Sequence, residues 1–293
     1  MTAPSEQAVL PAFEHLGEGL TPFLTSIFAF AWLEFRALRY YPSNLLLSVI
    51  QGVVQGSVWY FIARFLSGAA DSKVADFGGS YLAYVVIGVV FYQAGTAALN
   101  GPFEAISTAF WDKRLEGYHL APRGVWAYVL GRTLWKWGYA TLLQLAVLGI
   151  IATFGGVGSS LRVQLLPALL SYALFVVAVF GLGLCGASLF FLLEVKRGRE
   201  PVSWLVSYAV QLTSGVYVPV ATLPLWLKDV GYLLPHTYAL AAIRGALLPA
   251  DTPIVGDLAM LVVFALLTTL LGVRLFTRAI HAAEAEGGVG VVV

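Results

Sequence analysis

The chain has 293 residues, of which 59% are hydrophobic and only 11% charged, against about 25% charged in an ordinary soluble domain. Its mean hydropathy is +0.82, and a net charge of +1 gives no basic footprint for nucleic acid. A soluble globular enzyme, a disordered chain and a nucleic-acid binder are excluded; an all-α integral membrane protein with several spanning helices remains.

Residues 1–20 carry Glu6, Glu14 and Glu18 and neither Lys nor Arg. This is the reverse of a signal peptide's charge, so the segment reads as a short cytosolic tail. From 21 to 42, Thr25, Ala29, Trp32, Arg36 and Arg39 recur at helical spacing as one polar-to-basic stripe. The other faces are apolar (Phe23, Leu24, Ile27, Phe28, Phe30, Leu33, Phe35, Leu38). The pattern predicts a helix in the inner interface, its arginines near lipid phosphates. Glu34 falls off the stripe.

A run of about 20 apolar residues spans about 30 Å of hydrocarbon. Six such runs are expected, at 43–66, 80–100, 125–153, 164–193, 201–221 and 256–277. The fifth opens on Pro201, which suits a helix's first turn. A seventh stretch, 223–248, is interrupted by Lys228, Asp229, Arg244 and Pro235. It reads as two short helices at or dipping into the outer interface, a geometry that survives only where protein or water covers the backbone. Pro224 and Pro235 bracket the first of them, which contains the interfacial anchor Trp226.

With the N-terminus inside, twelve of the 17 Lys and Arg residues fall on inner segments and inner helix ends, including the cluster at 196–199. The positive-inside rule then places both termini in the cytosol. The inner loop at 101–124 mixes Glu104, Asp112, Lys113, Arg114, Glu116 and Arg123 with Phe103, Phe110, Trp111 and Tyr118. Aromatics among charges suggest a protein docking surface; pinning of the loop to the interface is the plainer alternative.

Arg132 and Lys136, four apart, share a helix face near the inner end of the third span, where snorkelling explains them. The mid-span polar residues Gln51, Gln55, Gln93, Gln144, Gln211 and Ser214 are neutral. They line a path or bond between helices, the latter being the commoner use. No phosphate-cradling loop exists, since the chain contains no Gly-Lys pair, and no Gly-x-Ser-x-Gly elbow exists either. The lone Cys185 and the scattered His15, His119, His236 and His281 form no metal-site spacing. The chain is therefore not read as an enzyme; an ATP-driven process would need ATP bound by another subunit.

Several motifs carry a resemblance. Leu115-Glu116 followed by Ala121-Pro122 is similar to the Leu-Glu and Thr-Pro in the coupling loop of the ABC-2 type transporter permeases, and Gly117-Tyr118 resembles the Gly-Tyr found there in related eukaryotic exporters. Lys113-Arg114 departs from the Gly-Thr common there. Residues 215–220 (GVYVPV), 223–227 (LPLWL) and 234–238 (LPHTY), followed by Arg244, resemble that family's signature around the fifth span and outer re-entrant helices.

The resemblance implies a bacterial inner-membrane permease of six spans over 43–277, preceded by the interfacial helix at 21–42 and followed by a cytosolic tail at 278–293. It implies a homodimer, or a pair with a related permease, in contact with membrane lipid and docked on separate ATPase subunits that hold ATP and Mg; this chain itself binds no cofactor. Glu104, Trp111, Asp112, Lys113, Glu116 and Tyr118 would contact the ATPase. Gln51, Gln55, Gln93, Gln211, Ser214 and Tyr217 would line the export path. Pro224, Trp226, Pro235 and Arg244 would shape the re-entrant element at 223–248. The competing reading, a stand-alone secondary transporter or channel, calls for mid-membrane carboxylates or a repeated hydropathy pattern, and neither is evident.

Overall fold

The computed structural model describes residues 20–40, 42–78, 80–120, 124–192, 201–249 and 253–285. Glu194, the cluster at 196–199, Ala121-Pro122, Arg123 and the N-terminal tail up to residue 19 lie outside the described residues. The described residues form helices and no strand. The α-helices are α1 (Leu20–Tyr40), α2 (Pro42–Leu66), α3 (Tyr81–Trp111), α4 (Leu115–Leu120) and α5 (Gly124–Phe154), followed by α6 (Leu165–Leu192), α7 (Pro201–Thr213), α8 (Leu225–Tyr232), α9 (Pro235–Leu247) and α10 (Ile254–Ala285).

Five of these, α2, α3, α5, α6 and α10, are long and apolar enough to cross a membrane. The expected fifth span at 201–221 differs: α7 has 13 residues, about 20 Å at 1.5 Å per residue, short of the hydrocarbon thickness. Hydropathy continues past Thr213, but the backbone leaves the helix. Gly215 takes a left-handed φ of 75°, its carbonyl accepts a hydrogen bond from the Tyr84 hydroxyl at 2.9 Å, and the Val216 carbonyl is taken by Arg244. The left-handed Gly215 breaks the helical path, and Pro219, with no N–H, could not donate to the Gly215 carbonyl in a continued helix; side chains of other helices take these carbonyls instead.

The helix α3 is the hub. Ser80 caps its start, accepting from the Ala83 N–H, and most of its circumference is apolar and buried, as suits a helix packed on most sides. It packs against α5, α6, α2 and α9. Its helical period also carries on past the expected span end at 100, because Phe103, Ala105, Ile106 and Ala109 are buried with Val125, Val129, Leu184 and Phe190. Residues 101–111 are therefore helix, not loop, and only Asp112–Arg114 form a turn before α4.

The broadest contact joins α6 to α10. A Cβ on Gly181 would lie 2.5 Å from the Thr268 and Thr269 backbone, and the Thr268 hydroxyl donates to the Ala178 carbonyl at 2.8 Å. Small residues that let backbones touch, tied by a hydroxyl, hold helices together where lipid gives no hydrophobic drive. On the other flank α1 lies along α5, burying Ile27 and setting Phe30 edge-on to Tyr128 at 5.4 Å. Its stripe of Thr25, Ala29, Trp32, Arg36 and Arg39 faces outward. Glu34, the residue off the stripe, reaches Arg132 of α5 at 3.6 Å.

Candidate functional site

In an otherwise apolar molecule, the polar side chains of α2, α3 and α7 converge on one cavity of about 570 Å³. The wall from α3 is a stripe of Gln93, Thr96, Asn100, Glu104 and Ser107, spaced three or four apart and so on one helix face. The wall from α7 repeats the device with Ser203, Ser207 and Gln211, flanked by Trp204 and Tyr208. Gln211 donates to the Tyr92 hydroxyl at 2.9 Å, which links the two walls. Gln51 of α2 completes the lining. A smaller cavity of about 330 Å³ shares Gln51, Gln93, Thr96 and Asn100 and extends towards α5, where Gln55, Gln144 and Lys136 line it.

Of the residues expected on a path, Gln51, Gln93 and Gln211 thus share one cavity and Gln55 lines its neighbour. Ser214 and Tyr217 lie elsewhere. Ser214 is buried with no hydrogen-bond partner for its hydroxyl among the described residues. Tyr217 stacks on Trp59 with ring centroids 3.9 Å apart, and its carbonyl accepts from the Tyr81 hydroxyl. Single glutamines are conspicuous in an apolar run; Thr96, Asn100, Ser107, Ser203 and Ser207 escape notice until the period-3.6 stripe is drawn on α3 and α7.

Near the N-terminal end of α3 lies a fully buried charge. Arg244 of α9, 2% exposed, donates through Nε to the Tyr84 carbonyl at 3.1 Å and through Nη2 to the Val216 carbonyl at 3.0 Å. Its guanidinium lies 3.5 Å from the centroid of the Tyr84 ring, a cation–π contact strengthened by burial. A Cβ on Gly88 would collide with both Arg244 and the Val216 carbonyl. Three side chains, Tyr81, Tyr84 and Arg244, thereby hold the backbone of Gly215, Val216 and Tyr217 in place. Pro235 opens α9 at its first turn. Pro224 precedes α8 and accepts from the Leu227 N–H at 3.0 Å, and Trp226 is exposed.

At the other end of α3 the residues assigned to a partner contact separate into two groups. Trp111, Asp112, Lys113 and Glu116 are exposed on the turn and on α4, and Lys113 has a positive φ of 57°, which makes the turn sharp. Glu104 sits two helical turns back and forms an ion pair with Lys136 of α5. Tyr118 turns inward to stack on Tyr128, 4.3 Å between centroids and 23° between planes. Tyr128 in turn accepts from Arg132 Nη1 at 2.6 Å. Arg132 and Lys136 thus find Glu34 and Glu104 in the protein as partners.

A family model described as ABC-2 type transporter matches residues 25–248 of the chain, from the first turns of α1 to the end of α9. No curated protein matches it.

Proposed function

The chain belongs to the ABC-2 type transporter family, and we propose that it is the permease subunit of an ATP-driven exporter in a bacterial inner membrane, working as a pair of permeases on separate ATPase subunits. Family membership makes it a multi-pass membrane component of an ABC transporter and a transport subunit. Export, the ATPase contact and the pairing are the further reading. The observation that carries it is the cavity between α2, α3 and α7: a continuous amide and hydroxyl lining in a protein with so few polar residues.

In this reading α7 and the pinned segment after it make up the sixth membrane element, with α8 and α9 as the re-entrant pair and α1 in the inner interface. Both termini are then cytosolic. The twelve-to-five distribution of Lys and Arg supports that orientation. The turn at Asp112–Arg114 with Trp111 and Glu116 meets the ATPase, and ATP with Mg is held by that partner. Tyr118, Tyr128 and Arg132 then form a packed line from the docking surface to α1 and the α3–α5 pair.

The test is co-expression with the ATPase subunit, followed by co-purification and substrate-stimulated ATP hydrolysis. Glu116→Ala and Trp111→Ala are expected to lower partner recovery and hydrolysis while the permease still inserts. Loss of one member of a buried charge pair costs about 2–5 kcal/mol of affinity. Glu104→Ala, away from the turn, is expected to leave partner recovery intact. Recovery unchanged by Glu116→Ala and Trp111→Ala would remove the turn from the interface.

A further inference from the structure

A separate cavity of about 620 Å³ lies near the N-terminal end of α3 and shares no lining residue with the one between α2, α3 and α7. The segment before α3, residues 219–221, helices α8 and α9 and the start of α10 all contribute to it. Tyr84, whose ring carries the Arg244 guanidinium, lines it as well.

Three described residues of this lining are charged: Lys73, Asp76 and Asp257. Among the described residues none of the three forms an ion pair. Asp257, in the first turn of α10, is half-buried. A carboxylate drawn partly out of water without a cation costs free energy that a cationic ligand offsets. Two carboxylates and one ammonium select a ligand carrying the complementary set. A plain anion meets two like charges. An ammonium meets two carboxylates, which are acceptors only and suit its three N–H donors. The rings of Tyr232 and Tyr238, 6.3 Å between centroids, add aromatic surface that attracts a cation. A phosphate beside that ammonium finds its counter-charge in Lys73.

Two of the helices that wall the cavity also bear exposed apolar side chains: Leu225, Trp226 and Leu233 on α8 and Val255 on α10. A polar chamber bordered by bare apolar surface fits a head group whose acyl chains lie along α8 and α10, whereas a soluble amine would leave that surface uncovered. The volume lies within the range of about 300–1,000 Å³ typical of small-molecule sites. In the orientation adopted above, α3 and α10 both begin on the outer side, and the choice of leaflet rests on that reading.

We propose that this cavity binds the head group of a zwitterionic phospholipid of the outer leaflet, one with a primary ammonium beside its phosphate. Asp76 and Asp257 take the ammonium and Lys73 the phosphate. Because residues 219–221 and Tyr84 line the same cavity, the bound lipid braces the segment that Arg244 holds.

The probe is dioleoylphosphatidylethanolamine added to the full chain in a mild detergent, with bound lipid counted by native mass spectrometry. One molecule should be retained about tenfold more tightly than dioleoylphosphatidylglycerol, the factor that one charge-assisted contact brings. Asp257→Asn and Lys73→Gln should each lower retention about tenfold in protein that still elutes as the parent does. Asp229→Asn, which alters an exposed carboxylate of α8 outside the lining, should leave retention unchanged. Glycerophosphoethanolamine, the same head group without acyl chains, should fail to displace the lipid at equal concentration.

Equal retention of the phosphatidylglycerol, or retention indifferent to both Asp257→Asn and Lys73→Gln, would overturn the site. Displacement by glycerophosphoethanolamine at equal concentration would make the ligand a soluble amine phosphate and overturn the lipid. Retention in detergent depends neither on the direction of insertion nor on an ATPase. Access of a membrane-impermeant thiol reagent to Ser72→Cys tests the orientation by itself.

Discussion

The two ends of α3 hold charge in opposite ways. Towards its N-terminal end, Arg244 is sealed from solvent and is held by two backbone carbonyls and one aromatic face. Towards its C-terminal end, Arg132 and Lys136 are partly exposed and answer to carboxylates, Glu34 and Glu104, on two other helices. A buried guanidinium with fixed carbonyl partners has one geometry, since any departure strands a charge. Partly exposed ion pairs have near-equivalent alternatives in water, so they can exchange at small cost. The Arg244 end is therefore an anchor, and the Arg132–Lys136 end is where helices can move relative to one another.

Breaking the anchor should have the largest effect. Arg244→Met removes two charge-assisted bonds and orphans the Val216 carbonyl, and should lower stability by about 2–4 kcal/mol. Thermal unfolding in detergent reports this, and limited proteolysis should cut first within 214–224. Unchanged proteolysis there would mean that Arg244 does not hold the segment.

Gly88→Ala attacks the same anchor from the other side. The added methyl occupies the space of the guanidinium and the Val216 carbonyl, an overpacking worth about 1–3 kcal/mol. Combined with Arg244→Met, its cost should shrink, because the guanidinium it displaces is already gone. Additive losses in the double variant would separate the two residues.

The smallest effect is expected at the other end. Lys136→Met and Glu104→Gln, singly or together, should each change stability by about 0–1 kcal/mol, since both side chains are over a third exposed (38% and 48%) and water screens the pair. A loss matching that of Arg244→Met would abolish the contrast between the ends.

The sequence made these two ends unequally visible. Arg132 and Lys136, four apart, announce a shared face, and Glu34 shows itself as the residue that breaks an otherwise regular stripe. What neither shows is the pairing, because the partners are far along the chain. Arg244 was legible as a charge interrupting an apolar stretch and, by resemblance, as part of the re-entrant element, but not as an anchor with named acceptors. Its acceptors are backbone carbonyls, 160 and 28 residues away, and every residue has a carbonyl, so no side-chain pattern marks them.

The same blindness explains the run at 201–221. Its composition reads as a span, but the helix stops at Thr213, where Gly215 turns left-handed and tyrosine hydroxyls and an arginine take up the carbonyls that follow. The all-helical fold and five of the long helices followed from hydropathy and length alone. The cavity was half legible: its glutamines stood out, while its serines and threonines belong to the stripe only by their spacing.

The anchor also sets an order of assembly. Tyr84 and Val216 both precede Arg244 in the chain, so both acceptors have been synthesised before the ribosome adds the cation they receive. The guanidinium need never wait in lipid for a partner. It arrives last, into a cage whose walls are already present, and its docking closes α9 onto α3. A nascent chain arrested before residue 244 would have every long helix but α10 and still lack the bond that fixes the segment after α7. Maturation of this protein thus includes a late latch, set by a single side chain, before α10 packs onto α6 and α9.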